Sequence, residues 1–358
     1  MYLLRLIASW VYGLVSFVRN MLYDEHLLHS FSVSVPTVCV GNLAVGGTGK
    51  TPHTEFIARV LCRDFRVAVL SRGYKRRTRG FRLVDDAATA FTVGDEPMQM
   101  HLNLPDVPVA VCENRLRGIR HLMQLYPDLQ VVLLDDAYQH RRLLCGYNVL
   151  LTPQSRLYIH DRLLPLGRLR ESRYGALRAH AVVVTKCSEQ MLPIDRRVIE
   201  TSLHLAAWQQ LCFSWLEYGR LQPLFPEFSV GIVQPDCKRP ILLTAIADAA
   251  PLADWLKQRW PDLVELPFPD HHAYSRKDMR LLTDTFRRCG CDAVITTQKD
   301  AVRLMAANVF PDELKPVSWW QPVAASMRGQ EDAFLVSIRR YVAEADRRLK
   351  GSAESHPL

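Results

Sequence analysis

The stretch Val38-Cys-Val-Gly-Asn-Leu-Ala-Val-Gly-Gly-Thr-Gly-Lys-Thr51 constrains the fold more than any other part of the chain. An apolar run, Thr37–Val40, reads as a buried strand. It enters a glycine-rich turn, and a helical pattern follows over Thr54–Cys62 with Phe56, Ile57, Val60 and Leu61 on one face. Strand, glycine loop and helix in that order form a phosphate-binding loop. Gly46, Gly47, Thr48 and Gly49 can turn backbone N–H groups inward around a phosphate. Lys50 can reach the β- and γ-phosphates, and the Thr51 hydroxyl can bind magnesium. Pro52 suits an early helical position, where its missing N–H would have had no partner. The strict pattern places a glycine at position 44, where this chain has Ala44.

Short β-branched runs alternate with helical patterns through the rest of the chain. Val67–Leu70, Val107–Val111, Val131–Leu134, Asn148–Leu151 and Ala181–Thr185 read as buried strands, with a helix at Asn114–Tyr126. This alternation predicts a parallel sheet covered by helices on both faces. Near 205–235 the pattern changes, and Phe213–Tyr218 and Phe228–Val233 read as a pair of strands. A second α/β set follows, ending in a helix at Asp332–Leu349. A length of 358 residues suits about two such domains. The nine cysteines contain no Cys-x-x-Cys pair, which fits reduced thiols in a cytosolic protein and gives no metal-knuckle spacing.

The formal net charge of +8 favours anionic partners. Residues 6–18 are uncharged and apolar, between Arg5 and Arg19. As a helix they would cover about 20 Å, short of a bilayer's hydrocarbon core. The segment reads as a helix lying in a membrane interface, with Trp10, Tyr12 and Phe17 at headgroup depth. The alternative is a buried helix capping the main domain.

A second apolar strand ends in Asp135-Asp-Ala-Tyr-Gln-His140. Ligands of a parallel sheet collect at the carboxyl ends of its strands. Asp135 or Asp136 would then hold magnesium, directly or through water, unless they only cap a helix. Thr185-Lys-Cys-Ser188 lacks the aspartate of guanine-specific loops, which leaves ATP as the nucleotide. Three further patches offer parts for phosphoryl transfer: Asp95 and Glu96 in a tight turn, His271 and His272 in a later loop, and Arg168, Arg170 and Glu171 in another. The basic run beginning at Arg72 can bind substrate phosphates. Tyr74 and Phe81 are too few to make it a nucleic-acid platform.

Taken together, Gly41–Pro52, Leu70-Ser-Arg-Gly-Tyr74, Gly94-Asp-Glu-Pro97, Leu134–His140, Leu164-Pro-Leu-Gly-Arg-Leu-Arg-Glu171, Asp270-His271 and Lys299-Asp300 resemble the tetraacyldisaccharide 4'-kinase family of lipid A biosynthesis. Ala137 departs from the glycine found in many relatives. The resemblance implies transfer of the ATP γ-phosphate to the 4'-hydroxyl of a tetraacylated glucosamine disaccharide 1-phosphate, with Mg2+, at the cytoplasmic face of the bacterial inner membrane. The readings that compete with it are a P-loop kinase for another hydroxyl and a nucleotide-switch NTPase. The implied fold is a P-loop NTPase-like three-layer α/β/α domain, a smaller α/β/α domain and a two-stranded hinge. Its bounds would be a membrane helix region over 1–30, the kinase domain over 31–210, the hinge over 211–235, the smaller domain over 236–349 and a flexible tail over 350–358.

Residue by residue, the resemblance makes Asp95 the catalytic aspartate. Its partner would be His271 rather than His272, orienting Asp95 and raising its basicity. Lys50 and Thr51 would bind phosphate and magnesium. Asp135, Asp136, Gln139 and His140 would surround metal and nucleotide, and Arg72, Glu96, Arg170 and Glu171 would complete the active site.

Overall fold

The chain folds around two sheets whose central strands are parallel. The computed structural model describes residues 1–229 and 235–354. Helix α1 (Tyr2–Asp24) precedes the first sheet, which the chain enters at β1 (Thr37–Asn42). Helix α2 (Lys50–Leu61), β2 (Val67–Ser71), β3 (Arg82–Leu83), the single turn α3 (Ala90–Val93), α4 (Asp95–Asn103) and β4 (Val109–Val111) follow. Then come α5 (Arg115–Leu125), β5 (Val131–Asp135), β6 (Tyr147–Pro153), β7 (Ala181–Thr185), α6 (Pro193–Leu203) and β8 (Gln210–Phe213).

The spatial order is β3-β4-β2-β5-β1-β6-β7-β8, with β3 antiparallel at the edge. Strands β1, β2, β5 and β7 are buried along their whole length, as a parallel sheet covered on both faces demands. Alternate residues serve different cores: Cys39, Leu70 and Leu134 pack in one layer, Val38, Val69 and Leu133 in the other. β1 lies between β5 and β6, so the loops after β1 and β5 open side by side at the strands' carboxyl ends.

The chain leaves this sheet through β9 (Trp215–Tyr218) and builds the second from β10 (Gln222–Pro223), β11 (Pro240–Thr244), α7 (Ala250–Arg259), β12 (Val264–Pro267), α8 (Arg276–Cys289), β13 (Ala293–Thr297), α9 (Gln298–Ala307) and β14 (Ser318–Gln321). Its order is β10-β14-β13-β11-β12. The chain returns through β15 (Val323–Ser326), antiparallel to β9, and ends in α10 (Glu331–Glu354).

Four features differ from the sequence reading. The partner of β9 is β15, not 228–233; Pro226–Phe228 is a 3-10 turn, and 230–234 lie outside the described residues. Helix α10 belongs to the first domain, because Phe334, Ile338 and Val342, four residues apart, bury one stripe among Val38, Ile57 and Leu61. The helix also runs to Glu354 across the start of the expected tail, whose last residues, 355–358, lie outside the description. Finally, α1 has 23 residues and is about 34 Å long.

By length and composition α1 could cross a membrane. One side of it, however, is fastened to the first domain. Ser9 Oγ donates to Leu163 O at 3.0 Å, Tyr12 OH to Arg170 O at 2.7 Å, and Arg19 Nη2 to Gln139 O at 2.6 Å. The other side leaves Leu3, Ile7, Trp10, Leu14 and Phe17 exposed.

Candidate active site

The turn after β1 is held from several sides. Asn42 Nδ2 donates to Ala44 O at 2.6 Å and to Thr48 Oγ1 at 2.9 Å, and Thr185 Oγ1 at the end of β7 donates to Thr48 O at 2.8 Å. Gly49 has φ +87°, a left-handed turn that opens α2 and that a side chain would strain. Ala44 forms an antiparallel bridge with Leu169. That extended backbone suits alanine as well as glycine, which accounts for the departure from the strict loop pattern.

Beside this loop, β5 ends in two carboxylates with opposite environments. Asp135 is buried; Ser71 Oγ donates to its Oδ2 at 3.0 Å, while Oδ1 is buried without a hydrogen-bond partner among the described residues. Burial, with the charges of Glu96 and Asp136, pushes Asp135 up to about 7. Asp136, at φ +47°, lies 3.7 Å from Lys50 Nζ and 3.2 Å from Arg170 Nη1. Burial works against its ionisation, but those two cations outweigh burial and hold it below the usual carboxylate range. An orphaned, buried carboxylate oxygen next to a phosphate loop fits a divalent cation.

The neighbouring residues form a hydrogen-bonded brace. Gln139 Nε2 donates to Asn42 O at 2.7 Å, and Arg170 donates to Gln139 Oε1 at 3.1 Å. Glu171 is buried and takes Arg178 at 2.8 Å and Asn20 at 2.8 Å, so it ties α1 to the site and does not line the cavity. Burial, then Arg115, pushes His140 down to about 4.

Across the crevice, Asp95 begins α4 and His271 sits in the loop after β12. His271 Nδ1 is 3.0 Å from Asp95 Oδ2. From α9, Arg303 Nε reaches the same oxygen at 2.8 Å, and Lys299 Nζ reaches Glu96 Oε1 at 2.8 Å. Burial favours the neutral acid, but the His271 hydrogen bond and the charges of Lys299 and Arg303 hold Asp95 well below the usual range. His271 therefore lowers the basicity of Asp95, contrary to the expectation that it raises it. His272 turns away to Asp278 at 3.0 Å and stacks on Phe268.

A cavity of about 780 Å³ joins the two sides. The phosphate loop, Arg72, Glu96, Asp136, Gln139, His140, Arg170 and His271 line it; Asp95 and Asp135 stand just behind its wall. Leu216 of β9, Val323 of β15 and Ile246 and Leu252 of the second domain add apolar lining. Lys186, also in the lining, pairs with Asp248 at 3.0 Å.

The family described as tetraacyldisaccharide-1-P 4'-kinase matches residues 1–342. The chain belongs to that family. Tetraacyldisaccharide 4'-kinases similar to it include that of Bacteroides thetaiotaomicron, 44% identical over 95% of this chain and 93% of that protein, and that of Flavobacterium johnsoniae, 39% identical over 93% and 95%. Among solved structures, LpxK from Aquifex aeolicus in complex with ATP superposes with a TM-score of 0.70 at 28% identity, covering 94% of this chain and 98% of that one.

In this member of the tetraacyldisaccharide 4'-kinase family, sequence reading passed over two site residues. Arg303 looks like a solvated helix charge until the fold sets it against Asp95. Arg115 is buried and donates to Cys112 O at 2.9 Å while lying 3.4 Å from the Asp135 and Asp136 carbonyls. Nothing in its local sequence marks it. Lys299 was visible only as part of the family resemblance.

Proposed function

We propose that this chain transfers the γ-phosphoryl group of ATP to the 4'-hydroxyl of tetraacyldisaccharide 1-phosphate, giving lipid IVA. The observation that carries this reading is one cavity lined by the phosphate loop and by His271, whose Nδ1 is held against Asp95 just behind the wall. Lys50 and the loop N–H groups hold the triphosphate in line with the acceptor. The acceptor oxygen bonds to phosphorus as the bond to the ADP oxygen breaks, and the hydroxyl proton passes to Asp95. A weakly basic carboxylate suffices, because in a loose transition state the attacking oxygen bonds late. Thr51, Asp135 and Asp136 would hold Mg2+, which supplies charge neutralisation at the phosphate oxygens. The apolar lining from Leu216, Ile246, Leu252 and Val323 suits the base.

The exposed apolar side of α1 fits a monotopic attachment to the cytoplasmic face of the inner membrane, where the acyl chains of the substrate lie. Incubation with γ-labelled ATP, Mg2+ and the lipid acceptor in detergent tests the reading. Wild type should label the lipid, and Asp95→Ala should lose on the order of 10²–10⁴-fold in rate. ATP binding without labelled lipid would refute the acceptor and leave the phosphate loop standing.

A further inference from the structure

Helix α9 presents Lys299 and Arg303 on one face, as a spacing of four residues requires. Arg303 Nε hydrogen-bonds Asp95 Oδ2 at 2.8 Å, and its Nη2 makes an ion-pair contact at 2.6 Å outside hydrogen-bonding angles. His271 Nδ1 reaches the same oxygen at 3.0 Å. The contacts of Asp95 thus gather on Oδ2, and Oδ1 is the oxygen left for an acceptor hydroxyl.

Lys299 Nζ lies 2.8 Å from Glu96 Oε1, 3.9 Å from Asp95 Oδ2 and 3.4 Å from His271 Nε2. An ammonium has protons to give and no lone pair. The ring nitrogen that faces it is therefore the bare one, and the proton of the neutral imidazole sits on Nδ1, donating to Asp95. One group works against this arrangement: Asp270 Oδ1 stands 3.8 Å from Nε2, beyond hydrogen-bond reach, and would favour a proton there. Tyr74 packs edge-on against the ring, centroids 5.1 Å apart, and adds no charge.

We propose that Lys299 is a positioning residue of the phosphoryl transfer: it fixes His271 as the Nδ1–H tautomer, and so leaves Asp95 Oδ1, not the imidazole, to take the proton. This rests on the reading of Asp95 as proton acceptor given above. With both ring nitrogens engaged, His271 has no lone pair free for the sugar hydroxyl. Its part is to hold Oδ2 while Oδ1 works.

The test is nitrogen NMR on the full chain carrying labelled histidine, with His271 assigned through His271→Gln. In wild type the ring should show a protonated Nδ1 and a bare Nε2. Lys299→Met should move the proton to Nε2, towards Asp270, and lower kcat by at least about tenfold while the KM for ATP changes less than about threefold. Lys299→Arg should keep the wild-type tautomer. A protonated Nε2 in wild type, or an unchanged ring in Lys299→Met, overturns the proposal. The wild-type spectrum can do so alone, even if the methionine variant fails to fold. The spectrum is read without turnover, so it is independent of the acceptor reading. A Nδ1–H ring beside an active Asp95→Asn enzyme would refute Asp95 as the base and leave the tautomer assignment intact.

Discussion

Arg303 and Asp95 meet across the domain boundary, with guanidinium nitrogens 2.8 and 2.6 Å from one carboxylate oxygen and both side chains almost fully buried. Arg303 also donates to Asp300 Oδ1 and Ala245 O, each at 2.8 Å. Arg303→Met would remove the cation shared by two buried carboxylates, Asp95 and Asp300. We expect a loss on the order of 3–5 kcal/mol in denaturant unfolding. Asp95→Asn in the same background should recover part of it, which a double-mutant cycle measures.

Glu55 on α2 is buried and accepts hydrogen bonds from Gln99 at 3.1 Å and Asn103 at 3.0 Å. Burial, only partly offset by these amides, raises it to about 7. Its folded pKa lies above the ordinary glutamate range. Stability present below about pH 4.5 should therefore decline as pH rises towards 7 and level off above, by roughly 3 kcal/mol at most. Glu55→Gln should flatten that decline in a series of melting curves; an unchanged slope would show that Glu55 is not its source.

Asp135 combines burial with an unpartnered oxygen. Replacing it with asparagine removes a costly buried charge and, on the proposed reading, a magnesium ligand. Asp135→Asn should melt at least as high as wild type, yet need at least about tenfold more Mg2+ for half its maximal rate. A variant that melted lower and titrated normally with Mg2+ would contradict both halves.

The exposed stripe of α1 should matter on lipid and not in solution. Trp10→Glu with Leu14→Glu changes residues that are 76% and 63% exposed, so the fold should be untouched. Flotation with anionic vesicles should fall severalfold, while activity on detergent-dispersed acceptor should hold within about twofold.

Much of this site can be read from the chain because its signals are local. The phosphate loop needs glycines at fixed offsets, and Asp135 and Asp136 announce themselves by ending an apolar run. The pairing of β9 with β15 is different: it joins segments about a hundred residues apart, and Val323-Ala-Ala-Ser326 has too little apolar pattern to reveal a strand. The allegiance of α10 is hidden for a related reason. An apolar stripe shows that a helix packs, not which sheet it packs on. Arg303 and Arg115 carry charge in helical patterns that read as solvated, and only the tertiary fold shows them to be buried.

Helix α10 completes the core of the domain that begins at β1, so the second domain is inserted within the first and tied to it by two strands. During synthesis the parallel sheet of the first domain would leave the ribosome early, yet the core that includes Ile57 and Leu61 of α2 must wait for α10. The inserted domain has all its strands by residue 321 and can fold first. The order of assembly would then run against the order of the domains, and a nascent chain lacking its final helix would present a greasy, unclosed sheet to chaperones.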